Sequence, residues 1–193
     1  MQNDGWTSAD LEHFPENGHR YEIIDGDLFV SKQPHWHHQY TCTQVSTFLG
    51  VWSMQTGLGQ TTQAPGLLFG EQDDVAPDVV WISLERRGTA LGPDGKLHAA
   101  PELVVEVASP GSASQERDRK RKLALYSRRG VREYWIVDWR LRNVEVYRRK
   151  RKQLCLIETL HPRDTLKTPL LPGFACAVSD LFDRIPLGQP KAN

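Results

Sequence analysis

The chain has 193 residues, with 24 basic and 24 acidic side chains and a mean hydropathy of -0.52. This length suits one domain, which we predict over residues 1–193. The sequence lacks the run of about 18 apolar residues that a membrane span needs, and its N-terminus lacks a secretory signal. Three widely spaced cysteines offer neither a disulfide framework nor a Cys-x-x-Cys metal site. We therefore expect a cytoplasmic protein without a membrane partner.

The charges are segregated along the chain although they cancel overall. Residues 1–114 hold 5 basic and 15 acidic side chains, whereas residues 115–152 hold 15 basic and 5 acidic ones. Such a basic block is either the electrostatic footprint of a polyanionic partner or a solvated helix face followed by a Lys/Arg-rich hairpin tip. Charge alone does not decide between these interpretations.

The first part of the chain predicts a short helix, a hairpin and a long helix. Thr7 can open a helix that ends near Pro15, because the residue before a proline disfavours helical geometry. An Asp-Gly turn joins two strand-like segments at 21–24 and 28–30. From about residue 40 to residue 56, apolar side chains recur at helical spacing, and Gly57 is expected to stop that helix.

The remainder of the chain predicts mainly strands, with one helix between two buried strands. The predicted elements are strands near 66–69 and at 79–82, a loop at 88–95, a buried strand at 103–108, a turn at Pro110-Gly111-Ser112, a helix from Ser114 to about Arg129, a strand at 133–138, a hairpin of 144–148 with 154–159, and a helical turn at 178–182. This order indicates a mixed α/β or α+β sheet domain.

One carboxylate, Glu106, lies inside an apolar strand on the face that Val104 and Ala108 share. A lone buried carboxylate costs on the order of several kcal/mol unless it is paired, protonated or bound to a metal. Proteins tolerate such a cost where function needs it. Glu106 is therefore a candidate functional residue.

A second carboxylate, Asp78, follows Pro77 and opens the preceding predicted strand. If the two strands are neighbours, Asp78 and Glu106 converge at one edge of the sheet. Two carboxylates with a main-chain carbonyl form a fitting oxygen set for Mg²⁺, which keeps several of its waters. The alternative from the residues alone is that Asp78 caps a turn and that Glu106 pairs with an arginine.

Several short motifs follow one another in order along the chain. Glu22 lies in Tyr-Glu-Ile-Ile-Asp-Gly, Asp78 in Ala-Pro-Asp-Val-Val-Trp-Ile, and Glu106 in Pro-Glu-Leu-Val-Val-Glu-Val-Ala-Ser-Pro. Asp118-x-x-x-Lys122-x-x-x-Tyr126 comes next, followed by Gly-Val-Arg-Glu-Tyr-Trp-Ile-Val-Asp at 130–138. From about residue 11 to residue 182, this combination resembles the bacterial restriction endonuclease family, once a domain of unknown function, within the PD-(D/E)XK nuclease superfamily.

The resemblance implies an α/β (α+β) fold with a restriction-endonuclease-like αβββαβ core, in which helices flank a mixed β-sheet and a C-terminal hairpin is appended. It also implies Mg²⁺-dependent cleavage of DNA phosphodiesters, with Mn²⁺ as a substitute. Asp78 and Glu106 are then the metal ligands, and Glu22 is an accessory acid. The superfamily's lysine usually stands two residues after the strand glutamate, where this chain has Ala108. Lys122 on the next helix fills that role and assists the attacking water.

The same resemblance gives the basic block a role in sequence-independent phosphate contacts, which weaken steeply with salt. The residues predicted to contact DNA are Arg117, Lys120, Arg148, Arg149, Lys150 and Arg151. A homodimer is compatible with this chemistry, because two subunits can cut two strands. Two other functions stay open: a non-catalytic nucleic-acid-binding or interaction module on a nuclease fold, and a metal-dependent phosphodiesterase that acts on RNA or a nucleotide.

The segment His35-x-His37-His38 contains metal-binding residue types but lacks the cysteines or second histidine pair of a zinc site. We interpret it as a loop leading into the long helix, with His38 near the opening of the site. Cys42, on that helix, is interpreted as a small core residue.

Overall fold

The computed structural model describes residues 5–109, 111 and 115–186. In these ranges the helices are α1 (Ser8–Leu11), α2 (Trp36–Thr56), α3 (Leu84–Ala90) and α4 (Leu123–Arg129), with a π-helical segment Arg117–Lys122 running directly into α4 and a 3-10 helix at Val178–Phe182. The strands are β1 (Arg20–Ile24), β2 (Asp27–Ser31), β3 (Gly59–Gln63), β4 (Leu67–Gly70), β5 (Asp73–Val75), β6 (Val79–Ser83), β7 (Leu103–Val107), β8 (Glu133–Asp138), β9 (Asn143–Lys150), β10 (Gln153–Leu160), β11 (Thr165–Leu166) and β12 (Cys176–Ala177).

The main sheet has six strands in the order β10-β9-β8-β7-β6-β3. Strands β7 and β8 are parallel, and the other neighbours in this sheet are antiparallel. The αβββαβ order is formed by α2, β3, β6, β7, α4 and β8. Strands β9 and β10 form the hairpin appended after it. The predicted mixed sheet flanked by helices is therefore confirmed.

Helices α2 and α4 pack on opposite faces of this sheet, because alternate side chains of a strand point to opposite sides. On β6, Val79 and Trp81 join the apolar cluster of α2, whereas Val80 and Ile82 join the cluster of α4. Val104 on β7 and Ala108, directly after it, belong to the α4 side. Glu106 occupies the position between them and therefore faces α4.

A smaller sheet, with strand order β2-β1-β5-β4, carries Glu22. Its β1–β2 hairpin turns at Asp25 and Gly26, which have φ values of 54° and 76°, as a two-residue hairpin turn requires. Asp73 on β5 ties this sheet to α4, because it accepts from Arg128 at 3.0 Å and from Arg129 at 2.7 Å. These contacts hold the smaller sheet against α4, which directly follows the segment that carries Lys122.

The long helix α2 begins at Trp36, earlier than the predicted residue 40, and ends at Gly57 with a φ of 67°. Its buried side faces the main sheet through Cys42, Val45 and Leu49. No helix in the described ranges combines the length and apolar character needed to cross a membrane.

One local prediction is wrong, and two strands were not predicted. The predicted loop at 88–95 overlaps the end of α3. Ser83 caps the start of that helix, because its Oγ atom accepts from the Arg86 amide at 3.2 Å. Strand β3 was missed because Gly-Gln-Thr-Thr-Gln has no apolar alternation, and β5 was missed because two of its three residues are aspartates. The predicted cap Ser114 and most of the turn at 110–112 lie outside the described residues.

Candidate active site

Asp78 and Glu106 stand side by side at the point where β6 begins and β7 ends. Val79 pairs with Val105, so Asp78 and Glu106 occupy the next position of the two antiparallel strands. The Val107 amide donates to Asp78 Oδ2 at 2.8 Å, which joins the two strands at this level. Both carboxylates line a cavity of about 760 Å³. The convergence expected from the strand pattern is therefore present.

Asp78 is held by basic side chains from two other elements. Arg20 Nη1 lies 3.0 Å from Asp78 Oδ1, and His38 Nε2 lies 3.3 Å from Asp78 Oδ2. Burial works to raise the pKa of Asp78, but the hydrogen bond and charge of His38, with the charge of Arg20, hold it well below its usual value. The Asp78 carboxylate is therefore ionised, and both of its oxygens are fixed in direction.

Lys122 is fully buried between two carboxylates. Its ammonium donates to Glu106 Oε1 at 2.9 Å and lies 2.8 Å from Glu22 Oε1. The Tyr126 hydroxyl, one turn further along, also donates to Glu106 Oε1 at 2.9 Å. Burial works to lower the pKa of Lys122, but the charges of Glu106 and Glu22 outweigh it, so the lysine stays charged.

Glu106 is the carboxyl group whose pKa is shifted upwards most clearly. Burial raises its pKa to about 8, and the nearby carboxylates Asp78, Asp118 and Glu22 add to the rise, against the opposing charge of Lys122. A group with this pKa holds its proton near neutral pH. The position therefore attracts positive charge that the surrounding side chains do not fully supply.

Glu22 accepts from the Ala76 amide at 3.0 Å, and its Oε2 atom lies 3.6 Å from Arg117 Nη1. Burial opposes ionisation, but Lys122 and Arg117 lower the pKa of Glu22 below its usual value. Glu22 therefore supplies a permanent negative charge behind Lys122.

This arrangement fits a divalent cation on two grounds. Asp78 and Glu106 offer the oxygen donors that Mg²⁺ prefers, in the wall of an open cavity. The raised pKa of Glu106 marks a position where a cation can replace the proton. A second set of metal-binding side chains also converges here: His38 and Asp78 line the cavity, and Cys42 lies behind them. Burial raises the pKa of the Cys42 thiol, which argues against a nucleophilic role for that cysteine.

The four side chains expected to carry catalysis thus form one cluster, but they are not equally accessible. Asp78 and Glu106 line the cavity, whereas Lys122 and Glu22 lie behind them and are not among its lining residues. Sequence reasoning missed Arg20, whose partner Asp78 is 58 residues away in the chain. It placed His38 near the opening of the site but gave no sign of its contact with Asp78.

Of the six residues predicted to contact DNA, Arg117 lines the cavity. Arg148 pairs with Glu133 at 2.7 Å, and Arg149 donates to the Val131 carbonyl at 2.8 Å. Lys120 pairs with Glu116, one turn away on the exposed helix surface. Lys150 and Arg151 are exposed at the β9–β10 turn. The other basic side chains that line the cavity come from residues 1–114, the part of the chain in which acidic residues outnumber basic ones. They are His19, Arg20, Lys32, His35 and His38.

The mixed sheet and its αβββαβ order define a fold of the restriction-endonuclease type. Residues 8–179 match the model of the Uma2 family, which is described as "Putative restriction endonuclease", and the chain belongs to that family. No curated protein matches the sequence significantly.

The structure is similar to a crystal structure described as a "putative nuclease belonging to DUF820" from Anabaena variabilis ATCC 29413. The TM-score is 0.72 at 17% sequence identity, and the alignment covers 91% of this chain and 97% of the other. At this identity the similarity shows a shared fold.

Proposed function

We propose that the protein is a Mg²⁺-dependent endonuclease that hydrolyses DNA phosphodiesters, with Mn²⁺ as a substitute. The observation that carries this proposal is the pairing of Asp78 and Glu106 in the wall of a 760 Å³ cavity, with the Lys122 ammonium 2.9 Å from Glu106. Membership of a family described as restriction endonucleases supports the same reaction.

Asp78 and Glu106 would hold the ion, which supplies a water of lowered pKa and offsets negative charge on the phosphate. Arg20, His38 and the Val107 amide keep the Asp78 carboxylate in place. Lys122 and Tyr126 do the same for Glu106 by donating to a single oxygen. A carboxylate that is already oriented loses little freedom when a ligand binds.

Lys122 assists the attacking water from behind Glu106, because its ammonium favours loss of a proton from a water beside that carboxylate. Glu22 keeps the ammonium in position at 2.8 Å. The water oxygen bonds to phosphorus and one P–O ester bond breaks, which yields a phosphate monoester and a hydroxyl group. Arg117 and Arg20 line the cavity and can neutralise the phosphate oxygens there.

DNA would approach along the basic rim of the cavity. The exposed residues Lys32 and His35 lie on this rim, next to His19 and Arg117. Lys120, Arg148, Arg149, Lys150 and Arg151 would add contacts to phosphates further from the cut. Binding through such contacts is independent of sequence and weakens with salt.

A non-catalytic nucleic-acid-binding module on the same fold is the second candidate, and the burial of Lys122 favours it. The lysine is fully buried, and two carboxylates already satisfy it. In that case Lys122 would be a structural ion-pair partner, and the protein would bind DNA without needing a metal.

Cleavage of supercoiled plasmid DNA, with Mg²⁺ or Mn²⁺ against EDTA, separates the two candidates. We expect metal-dependent nicking or linearisation that is abolished in Asp78→Asn and Glu106→Gln, while DNA affinity in EDTA stays unchanged. Glu102→Gln is the matched control, because Glu102 is a buried carboxylate that binds Ser83 at the other end of β7. Salt-sensitive binding without cleavage would support the module, and faster cleavage of a matched RNA would identify an RNA phosphodiesterase.

A further inference from the structure

A sulfur ligand that the proposed cleavage does not use lies behind the cavity wall, next to His38. His38 and Cys42 lie one turn apart on α2 and are 5% and 3% exposed. His38 Nδ1 lies 3.6 Å from Cys42 Sγ, and His38 Nε2 lies 3.3 Å from Asp78 Oδ2. One ligand atom from each of the three residues lies within 4.8 Å of the other two.

The spacing of His38 and Cys42 suits a tetrahedral ion. Zinc binds sulfur at about 2.3 Å and imidazole nitrogen at about 2.0–2.1 Å, so a 3.6 Å separation corresponds to an angle of roughly 110° at the metal. Asp78 Oδ2 contacts the other ring nitrogen, Nε2, so Asp78 would have to leave that contact and move by up to about 1.5 Å to become the third protein ligand. His38 and Asp78 line the cavity, which gives an ion a path in and a water a place as the fourth ligand.

We propose that His38, Cys42 and Asp78 form a binding site for a thiophilic divalent cation of the zinc class. A set of one sulfur, one nitrogen and one carboxylate oxygen favours zinc over magnesium, which prefers oxygen ligands alone. Binding forms a bond from Cys42 Sγ to the metal and releases the thiol proton to solvent. The His38, Cys42 and Asp78 set therefore binds thiophilic ions, whereas the Asp78 and Glu106 pair selects hard ions such as Mg²⁺.

Asp78 belongs both to this set and to the carboxylate pair. An ion bound by Cys42 and His38 draws Asp78 away from Glu106 and so lowers the affinity for Mg²⁺ or Mn²⁺. Zinc-class ions thus inhibit the enzyme by competition. This inhibition rests on the proposed function, whereas the binding of the thiophilic ion does not.

Titration with Co²⁺, followed by absorbance, tests the site directly, since a thiolate ligand adds a charge-transfer band that carboxylate sites lack. With a phosphine reductant present, we expect a band that saturates at one equivalent in the wild type and in Cys155→Ser. Cys155 is a half-buried cysteine on β10 and serves as the matched control. The band should disappear in Cys42→Ser, and Zn²⁺ should bleach it in the wild type.

His38→Gln keeps the proposal testable if the Cys42 variant folds poorly, because it leaves the thiol intact. We expect at least about a tenfold loss of Co²⁺ affinity in this variant. No band in the wild type, a band that persists in Cys42→Ser, or unchanged affinity in His38→Gln would each overturn the site.

A competition experiment tests the shared carboxylate. Electron paramagnetic resonance of free Mn²⁺ should show weaker Mn²⁺ binding when one equivalent of Zn²⁺ is present in the wild type, but not in Cys42→Ser. If Zn²⁺ binds and leaves the Mn²⁺ affinity unchanged, the sharing of Asp78 is wrong. Failure of DNA cleavage would leave the cobalt band in place, so the two proposals fail separately.

Discussion

The Lys122 ammonium lies 2.9 Å from Glu106 Oε1 in a region from which solvent is excluded. Glu22 approaches the same nitrogen at 2.8 Å. A single lysine therefore contacts two buried carboxyl groups that belong to different sheets. This relationship couples the stability of the fold to the geometry of the candidate site.

Replacing Lys122 by methionine should destabilise the protein strongly. The change leaves the buried Glu22 carboxylate without its cation and removes a hydrogen bond to Glu106, which costs about 3–5 kcal/mol in comparable sites. Urea unfolding followed by circular dichroism measures the effect. Lys120→Met, on the exposed side of the same helical segment, should behave like the wild type. Adding Glu106→Gln to Lys122→Met should recover part of the loss, and a double variant no more stable than Lys122→Met would contradict the coupling.

The stability of the metal-free protein should fall as pH rises from about 4.5 to about 8. The pKa of Glu106 is raised from 4.5 to about 8 in the folded chain, so the folded state retains a proton that the unfolded state has lost. This stabilisation is complete below the unfolded value and is lost as pH rises through the folded one. Urea midpoints in EDTA should therefore decline for the wild type and stay flatter for Glu106→Gln. Parallel pH profiles for the two proteins would refute the assignment.

Asp73 should hold the smaller sheet against α4. It accepts from the Asp25 amide and from Arg128 and Arg129. Burial opposes ionisation, but these hydrogen bonds and charges lower the pKa of Asp73. We expect Asp73→Asn to lose about 1–3 kcal/mol at pH 7.

The loss in Asp73→Asn should shrink as pH falls through the lowered pKa of Asp73, because protonation then removes the same ion pairs from the wild type. Asp27→Asn is the matched control, since Asp27 is exposed and pairs with the half-exposed Arg121. Equal effects of the two substitutions would show that the Asp73 contacts do not hold the sheet.

Lys32 should contact DNA phosphate at the rim of the cavity. Each phosphate contact contributes about 0.9 to the slope of log affinity against log salt, so Lys32→Gln should reduce that slope by about one. The pair Lys150→Gln and Arg151→Gln should reduce it by about two if the hairpin tip also meets the duplex. Arg184→Gln, an exposed arginine outside both groups, is the control. A slope unchanged by Lys32→Gln would place the DNA elsewhere.

The pairing of Asp78 with Glu106 was predictable because Asp78 opens one apolar strand and Glu106 lies inside another. Apolar strands pair in a buried sheet. The place of Lys122 in the cluster was predicted from the family resemblance, and its four-residue spacing to Asp118 and Tyr126 put the three side chains on one helical face. The contacts of Asp78 with Arg20 and His38 were not predictable, because they depend on how β1 and α2 pack against the sheet. Strand β3 was not predicted because its sequence is polar. It is a strand because it pairs with β6. The single domain over 1–193, the homodimer and the cytoplasmic location stay predictions.

Mn²⁺ titration by calorimetry tests the central claim most directly, because it needs no knowledge of the DNA substrate. Glu106→Gln is the sharper single variant, since Glu106 belongs to the carboxylate pair alone, and Asp78→Ala/Glu106→Ala removes both proposed ligands. We predict saturable binding to the wild type and to the Glu102→Gln control, strongly weakened binding to Glu106→Gln and none to the double variant. Absent binding by the wild type, or equal binding by all four proteins, would contradict a metal site at Asp78 and Glu106.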